Sequence, residues 1–367
     1  MTAGIHPFPW HEGPLRRWLA SRLRLPHALL VTAALGTGAL EFGRALAGGL
    51  LCEGSTSETV SGACGSCPAC QWMQAGNHPD FRFVGLDGEG ADELGEAGAD
   101  PEGDATASVR EQSTAPATSR SKSVRTRPEI RIDAIRSLGD FALTGARRSG
   151  QKVVLISAAD RLNAAAANAL LKTLEEPMAG MIFILASEAP ARILPTVRSR
   201  CVTVALTAPS NEVARDWILS TTGLEPNAAQ RLLDAGGGAP LAAKAYGDPI
   251  RYEAYQTAHS AIASLPNADL LEVAQRLEAL EPSLWVIALQ RWVEDLARVA
   301  GGIAPRSKGA DLRQLNAIAA QSNLQALVTC AQQLLRFRRS VDHPLNPRLY
   351  AEATLRVYTQ AFTAAKD

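Results

Sequence analysis

The chain lacks a net charge: among its 367 residues, lysine and arginine number 37, and aspartate and glutamate number 37 as well. With no overall positive field it is not built to hold a polyanion by itself, so contact with nucleic acid is expected only within an assembly. Aromatic residues make up 5%, and no basic stripe interleaved with them occurs, which speaks against a zinc-dependent nucleic-acid binding module. No apolar run reaches membrane-spanning length, and the start, MTAGIHPFPW, lacks the basic, apolar, small-residue order of a secretory signal. The expectation is a soluble cytoplasmic protein. Cysteine is scarce, six in all. That is no secreted disulfide framework, and four of the six cluster, which in a reducing compartment points to metal.

What is there is organised around the stretch from Lys152 to Cys201. Lys152 to Ser157 is a short apolar, β-branched run suited to a strand buried on both faces of a parallel sheet. Asn163 to Glu176 reads as a helix, with Asn163 as cap, Ala167, Leu170, Leu171 and Leu174 on one side, and Pro177 as terminator. Met181 to Ala186 is a second buried strand, so the unit is βαβ.

The run NALLKTLEEP from Asn168 to Pro177, followed by a strand and then Ser199-Arg200-Cys201, closely resembles the clamp-loader branch of the AAA+ ATPases. The resemblance implies an α/β fold: a parallel-sheet, P-loop-type AAA+ domain with an inserted zinc module, then a helical lid and an all-α collar. The corresponding divisions are 1–206 for the AAA+ core, 207–248 for the lid and 249–367 for the collar. The core would hold the zinc module at about 52–70 and an insertion at about 86–128.

Between a strand led in by Pro26 to Val31 and a helix from Leu40 to Leu51 lies the segment AALGTGAL, Ala33 to Leu40. A working phosphate loop needs glycines, a lysine for the terminal phosphates and a Ser/Thr hydroxyl for magnesium. Here Gly36 and Gly38 are present, but the first glycine position is Ala33, the lysine position Ala39 and the hydroxyl position Leu40. Where active AAA+ members carry Asp-Glu after the buried strand, this chain has Ser157-Ala158, and near the glycine turn 236–238, where they carry a sensing arginine, it has Ala239-Pro240. ATP hydrolysis by this chain is therefore not expected. An active gamma/tau-like loader ATPase is the rival reading, and these positions oppose it.

Cys52 is followed, after an eleven-residue loop, by Cys64, Cys67 and Cys70. Four thiolates form a closed structural zinc site, and with no histidine or carboxylate among them a zinc hydrolase is excluded. A zinc module followed by GNHPDF, Gly76 to Phe81, again resembles bacterial clamp-loader subunits; His78 is expected to cap or pack rather than to ligate. Leu86 to Asp104 holds eight acidic residues and no basic one, and Thr106 to Arg127 is Ser/Thr/Ala-rich with five basic residues, which reads as a disordered insertion. By the resemblance, Arg200, framed by Ser199 and Cys201, is an arginine finger acting in trans on a neighbouring subunit's ATP site. The implied partners are gamma or tau and delta clamp-loader subunits, with the β sliding clamp and primed DNA reached through the assembly.

Elsewhere the pattern predicts an amphipathic helix over 11–24 and a strand at Phe81 to Val84. A helix carrying Ile132, Ile135, Leu138 and Phe141 follows, then helices at 211–219, 227–235, 241–246, 265–280, 283–300, 310–322, 324–340 and 348–365.

Overall fold

A computed structural model describes residues 5–54, 62–86 and 128–363, apart from 149, 342 and 344. Five strands form one parallel sheet: β1 (Ala28–Thr32), β2 (Phe81–Val84), β3 (Lys152–Ile156), β4 (Met181–Ser187) and β5 (Val202–Ala205). Their order is β2-β3-β4-β1-β5. Every residue of β3 and β4 is buried, as continuous apolar runs in a parallel sheet require. Alternate side chains go to opposite faces: Leu29, Val31, Leu155 and Ile184 join one core, Leu30, Val154, Ile156 and Leu185 the other. The helix Ala39–Leu51 covers the first face, and the helices Ala164–Glu175 and Ile132–Arg136 cover the second. This is the α/β, parallel-sheet architecture expected from the sequence.

Local chemistry explains the crossover helix. Asn163 Oδ1 accepts from the Ala166 N–H at 2.8 Å, a cap whose removal costs about 1 kcal/mol in typical hosts, and the helix stops at Glu175, two residues before Pro177. Lys152 is buried in β3, and its ammonium donates to Phe141 O and to Thr144 Oγ1, so the charge enters the fold with partners.

Three expectations need correction. The helix placed at 11–24 ends at Ala20, with a 3-10 turn at Arg22–Arg24, and Leu23 is 90% exposed. The 132–141 helix is broken at Ser137 into Ile132–Arg136 and Leu138–Leu143. The 265–280 helix begins only at Leu270, because Asp269 caps it through Leu271 N–H at 2.8 Å, and a separate helix, Pro249–Ala263, precedes it. Strand β5 was not anticipated at all. Of the proposed insertion at 86–128, all but its two end residues lies outside the described residues.

After β5 the described residues form helices, Asn211–Thr222, Pro226–Ala235 and Pro240–Ala245, and then, among the described residues, six more from Pro249–Ala263 to Pro347–Thr363. One continuous hydrophobic core runs through them from Ala214 to Phe362. Polar ties reinforce it. The half-buried Arg291 guanidinium donates to Ala235 O and, at 2.9 Å, to Gly236 O, satisfying the end of the helix Pro226–Ala235. Asp234 accepts from the N–H groups of Lys308 and Gly309 at 2.9 and 2.7 Å.

Candidate functional site: a closed phosphate loop, a thiolate cluster and an outward arginine

Parallel register brings three strand ends together on the carboxyl edge of the sheet, where ligands bind in open α/β folds. Thr32 of β1 pairs with Ser187 of β4, and Ile156 of β3 with Leu185. The loop 33–38, Ser157-Ala158 and Glu188 therefore leave the sheet side by side. Gly36 and Gly38 have φ of +73° and +94°, the left-handed conformations by which a glycine loop turns its N–H groups toward an anion. Ala39 opens the following helix at 1% exposure, so the lysine position is a packed methyl group. Ala158 also has positive φ, +44°.

The loop is covered from two sides. Thr37 O accepts from Trp10 Nε1 at 2.9 Å and from His11 Nε2 at 3.1 Å. Because a carbonyl can only accept, His11 Nε2 carries the proton. Nδ1 is then bare, and it is buried without a partner. Burial, opposed by the bond to Thr37, holds His11 down at about 4. Phe8 and Trp10 meet Trp217 of the helix Asn211–Thr222 at 5.2 and 5.5 Å. From the other side, Leu241 N–H donates to Gly36 O at 3.0 Å. The Ala239-Pro240 turn thus sits against the loop.

Cys52, Cys64, Cys67 and Cys70 come together with all four sulfurs within 4.8 Å of one another. Cys52 and Cys67 are 3.9 Å apart, Cys64 and Cys70 3.8 Å. A tetrahedron with Zn–S bonds of about 2.3 Å has edges of about 3.8 Å, so the residues present fit zinc. The N–H groups of Cys64, Cys67 and Cys70 point at the sulfurs of Cys52, Cys64 and Cys67 at 3.3, 3.4 and 3.5 Å, as outer bonds to thiolates do. Backbone and hydroxyl donors of Ser66 hold Cys64 down at about 5, whereas burial pushes Cys52 and Cys70 up; a divalent cation overrides such burial by stabilising every thiolate. His78 stands outside the cluster. It is buried, and its Nδ1 accepts from Asp80 N–H at 3.1 Å.

Arg200 follows the short helix Pro195–Arg198. Its guanidinium pairs with Glu175, the last residue of the helix Ala164–Glu175, and Nη1 donates to Thr196 O at 3.0 Å. A carboxylate at a helix C-terminus opposes the helix dipole, and the arginine compensates it. Both side chains face solvent, 36% and 49% exposed. Ser199 Oγ also donates to Thr196 O, at 3.0 Å, while Cys201 is half-buried with its thiol pushed up to about 11 by burial. Arg200 therefore belongs to an outward edge, and its partners lie outside its own phosphate loop.

A family model described as DNA polymerase III, delta subunit, matches residues 15–210. The chain is 34% identical over 251 residues to DNA polymerase III subunit delta' of Pseudomonas aeruginosa, spanning 68% of this chain and 64% of that one. Over 344 residues it is 30% identical to the Yersinia pestis subunit of the same name, covering 89% of each, and it is 32% identical to that of Escherichia coli over 265 residues, 71% of this chain and 67% of that one. The chain belongs to the DNA polymerase III delta-prime family.

Within this delta-prime chain the four cysteines named from spacing do converge; Gly36 and Gly38 lie in the strand-to-helix loop, while Ala39 and Leu40 already belong to the first turn of the helix Ala39–Leu51. Sequence reasoning missed Glu188, whose Oε1 accepts from Gly36 N–H at 3.0 Å. It also missed Asp80, whose fully buried carboxylate accepts from the N–H groups of Arg147 and Arg148. Only the strand register could have revealed the first. For the second, an aspartate directly before a strand, inside GNHPDF, was the one available signal.

Proposed function

We propose that this delta-prime family member is a non-hydrolysing subunit of the DNA polymerase III clamp loader. It assembles with gamma or tau and delta subunits, helps place the β sliding clamp on primed DNA in the cytoplasm, and supplies Arg200 to a neighbour's ATP site. Supporting the non-hydrolysing part is the loop itself: no lysine, no hydroxyl at position 40, and no acidic pair after β3. Such a site offers nothing to neutralise a transferring phosphoryl group. The observation that carries the trans role is the outward guanidinium of Arg200, planar, permanently charged and held by a solvent-facing carboxylate and one exposed backbone carbonyl, that of Thr196. We read 1–206 as core, 207–248 as lid and 249–367 as collar, with structural zinc on Cys52, Cys64, Cys67 and Cys70. Among the described residues no helix is long and apolar enough to cross a membrane.

The test is DNA-stimulated ATPase activity of a reconstituted loader with wild-type chain or Arg200→Ala, and with the chain alone as control. The expected result is a silent chain alone and a variant that assembles normally but lowers turnover. Loss of one transition-state donor costs about 10²–10³-fold at the site it serves. Unchanged turnover overturns the role of Arg200, and hydrolysis by the isolated chain, with its loop intact, overturns the non-hydrolysing reading in favour of a gamma/tau-like ATPase.

A further inference from the structure

We propose that the Glu188 carboxylate is the resident anion of the loop Ala33 to Leu40, taking the backbone N–H groups that would hold a phosphate and masking an anion site beneath it. Glu188 follows β4 directly, and β4 pairs with β1, so the residue emerges beside the loop that β1 feeds. Its Oε1 lies 3.0 Å from Gly36 N. The backbone N–H of Gly38, the second left-handed glycine, lies on the side of the same carboxylate and favours its charged form. A charge-assisted bond of this kind is roughly twice as strong as a neutral one, so the nest has its negative partner without a ligand.

The other backbone group of Gly36 is also taken. Its carbonyl accepts from Leu241 N–H at 3.0 Å, and a Cβ built at Gly36 would stand 3.0 Å from Ala242 Cβ and 3.1 Å from Ala242 N. One glycine thus joins β4 and the lid through its two polar groups. Charge completes the closure. Glu41 in the first turn of the following helix and Asp160 after β3 both act on Glu188 with like charge, so an incoming polyphosphate meets carboxylates. Burial pushes the Glu188 carboxyl up from its ordinary value while the glycine N–H groups pull it down.

This deepens the non-hydrolysing reading, which concerns missing catalytic groups, by assigning what fills the place of the ligand; it does not depend on Arg200. The test uses the full chain, wild type, Glu188→Gln and Glu188→Ala, labelled with 15N-glycine and titrated with inorganic pyrophosphate while the Gly36 amide resonance and the heat of binding are followed. Glu188→Gln keeps the shape of the side chain and guards against a folding defect in Glu188→Ala. The expected result is no saturable binding to wild type and binding at least ten-fold tighter in Glu188→Ala, with the Gly36 resonance moving along the titration. Equal affinity of wild type and both variants, including none at all, overturns the proposal. So does binding that leaves the Gly36 resonance in place. Neither outcome touches the Arg200 test, which reads turnover at another subunit's site.

Discussion

Replacing Asp80 by asparagine tests whether the link between the cysteine cluster and the sheet is held by one buried charge. Asp80 is 0% exposed. Its Oδ1 accepts from Arg147 N–H at 2.7 Å and its Oδ2 from Arg148 N–H at 2.9 Å, which brings Arg148 to Glu53 at 2.7 Å and over the Trp72 ring at 4.8 Å. Asparagine has the same outline but only one acceptor, so its NH₂ must face a backbone N–H. One charge-assisted bond, about 1.5–3 kcal/mol, is lost and one buried N–H is stranded at about 1–3 kcal/mol. These overlap, and relief from burying a carboxylate offsets part of them. The net expectation is about 2–4 kcal/mol, near a hundred-fold in the opening equilibrium of this loop. Hydrogen exchange at the Arg147 and Arg148 amides reads it directly, and a urea titration followed by tryptophan fluorescence reads it globally. Arg148→Ala separates the causes: its ion pair is solvent-exposed, so that variant should leave the urea midpoint unchanged. If Asp80→Asn shifts stability by less than about 1 kcal/mol and leaves both amides protected, the carboxylate is not what orders the loop.

Two further outcomes follow from the same geometry. His11 is held neutral by burial, with a folded value of about 4 against 6.5 when exposed, so between those values the unfolded chain binds a proton that the folded chain refuses. Stability from this group is complete above pH 6.5 and falls as the pH drops toward 4. At pH 5 the loss is about 2 kcal/mol. Comparing urea midpoints at pH 7 and pH 5 for wild type and His11→Gln should show a smaller drop in the variant, and equal drops would refute the assignment. For the cysteine cluster, chelation should release one zinc per chain, measured with a metallochromic dye, and should raise hydrogen exchange in the helix Pro68–Gln74; release of no zinc, or exchange unaffected by its removal, would count against a structural metal.

How far the sequence could be read depended on the range of the interactions. The βαβ unit was legible because its signals are local: runs buried on both faces, an Asn163 cap, a terminating Pro177. The cysteine spacing was legible for the same reason, since Cys64, Cys67 and Cys70 share one tight turn. Strand β5 was not, because Val202, Thr203 and Ala205 are exposed and Val204 alone is buried, leaving neither alternation nor an apolar run. The Ser137 break escaped because Ile132, Ile135, Leu138 and Phe141 keep helical spacing across it. Glu188 and Asp80 are ordinary acidic residues in sequence, and their meaning comes from partners 152 and 67 positions away.

The glycines of the loop also explain how catalytic groups could be absent while the loop's shape is kept. Gly36 bonds Glu188 through its N–H and Leu241 through its carbonyl, and its missing Cβ leaves room for Ala242, so its conformation is required by packing whether or not a phosphate ever arrives. Ala39 is packed too, and a lysine there would have to bury its stem. The loop's geometry and its chemistry are thus separable demands, and only the first is needed to join the helix Pro240–Ala245 to the sheet. Arg200 poses the opposite problem. For the proposed trans role its guanidinium must be ordered yet free to leave. A pair with side chains 36% and 49% exposed falls where ion pairs contribute about 0–1 kcal/mol, whereas a donor to a developing phosphoryl charge is worth about 3–4 kcal/mol. The weak contact with Glu175 orders the arginine without competing with the stronger one.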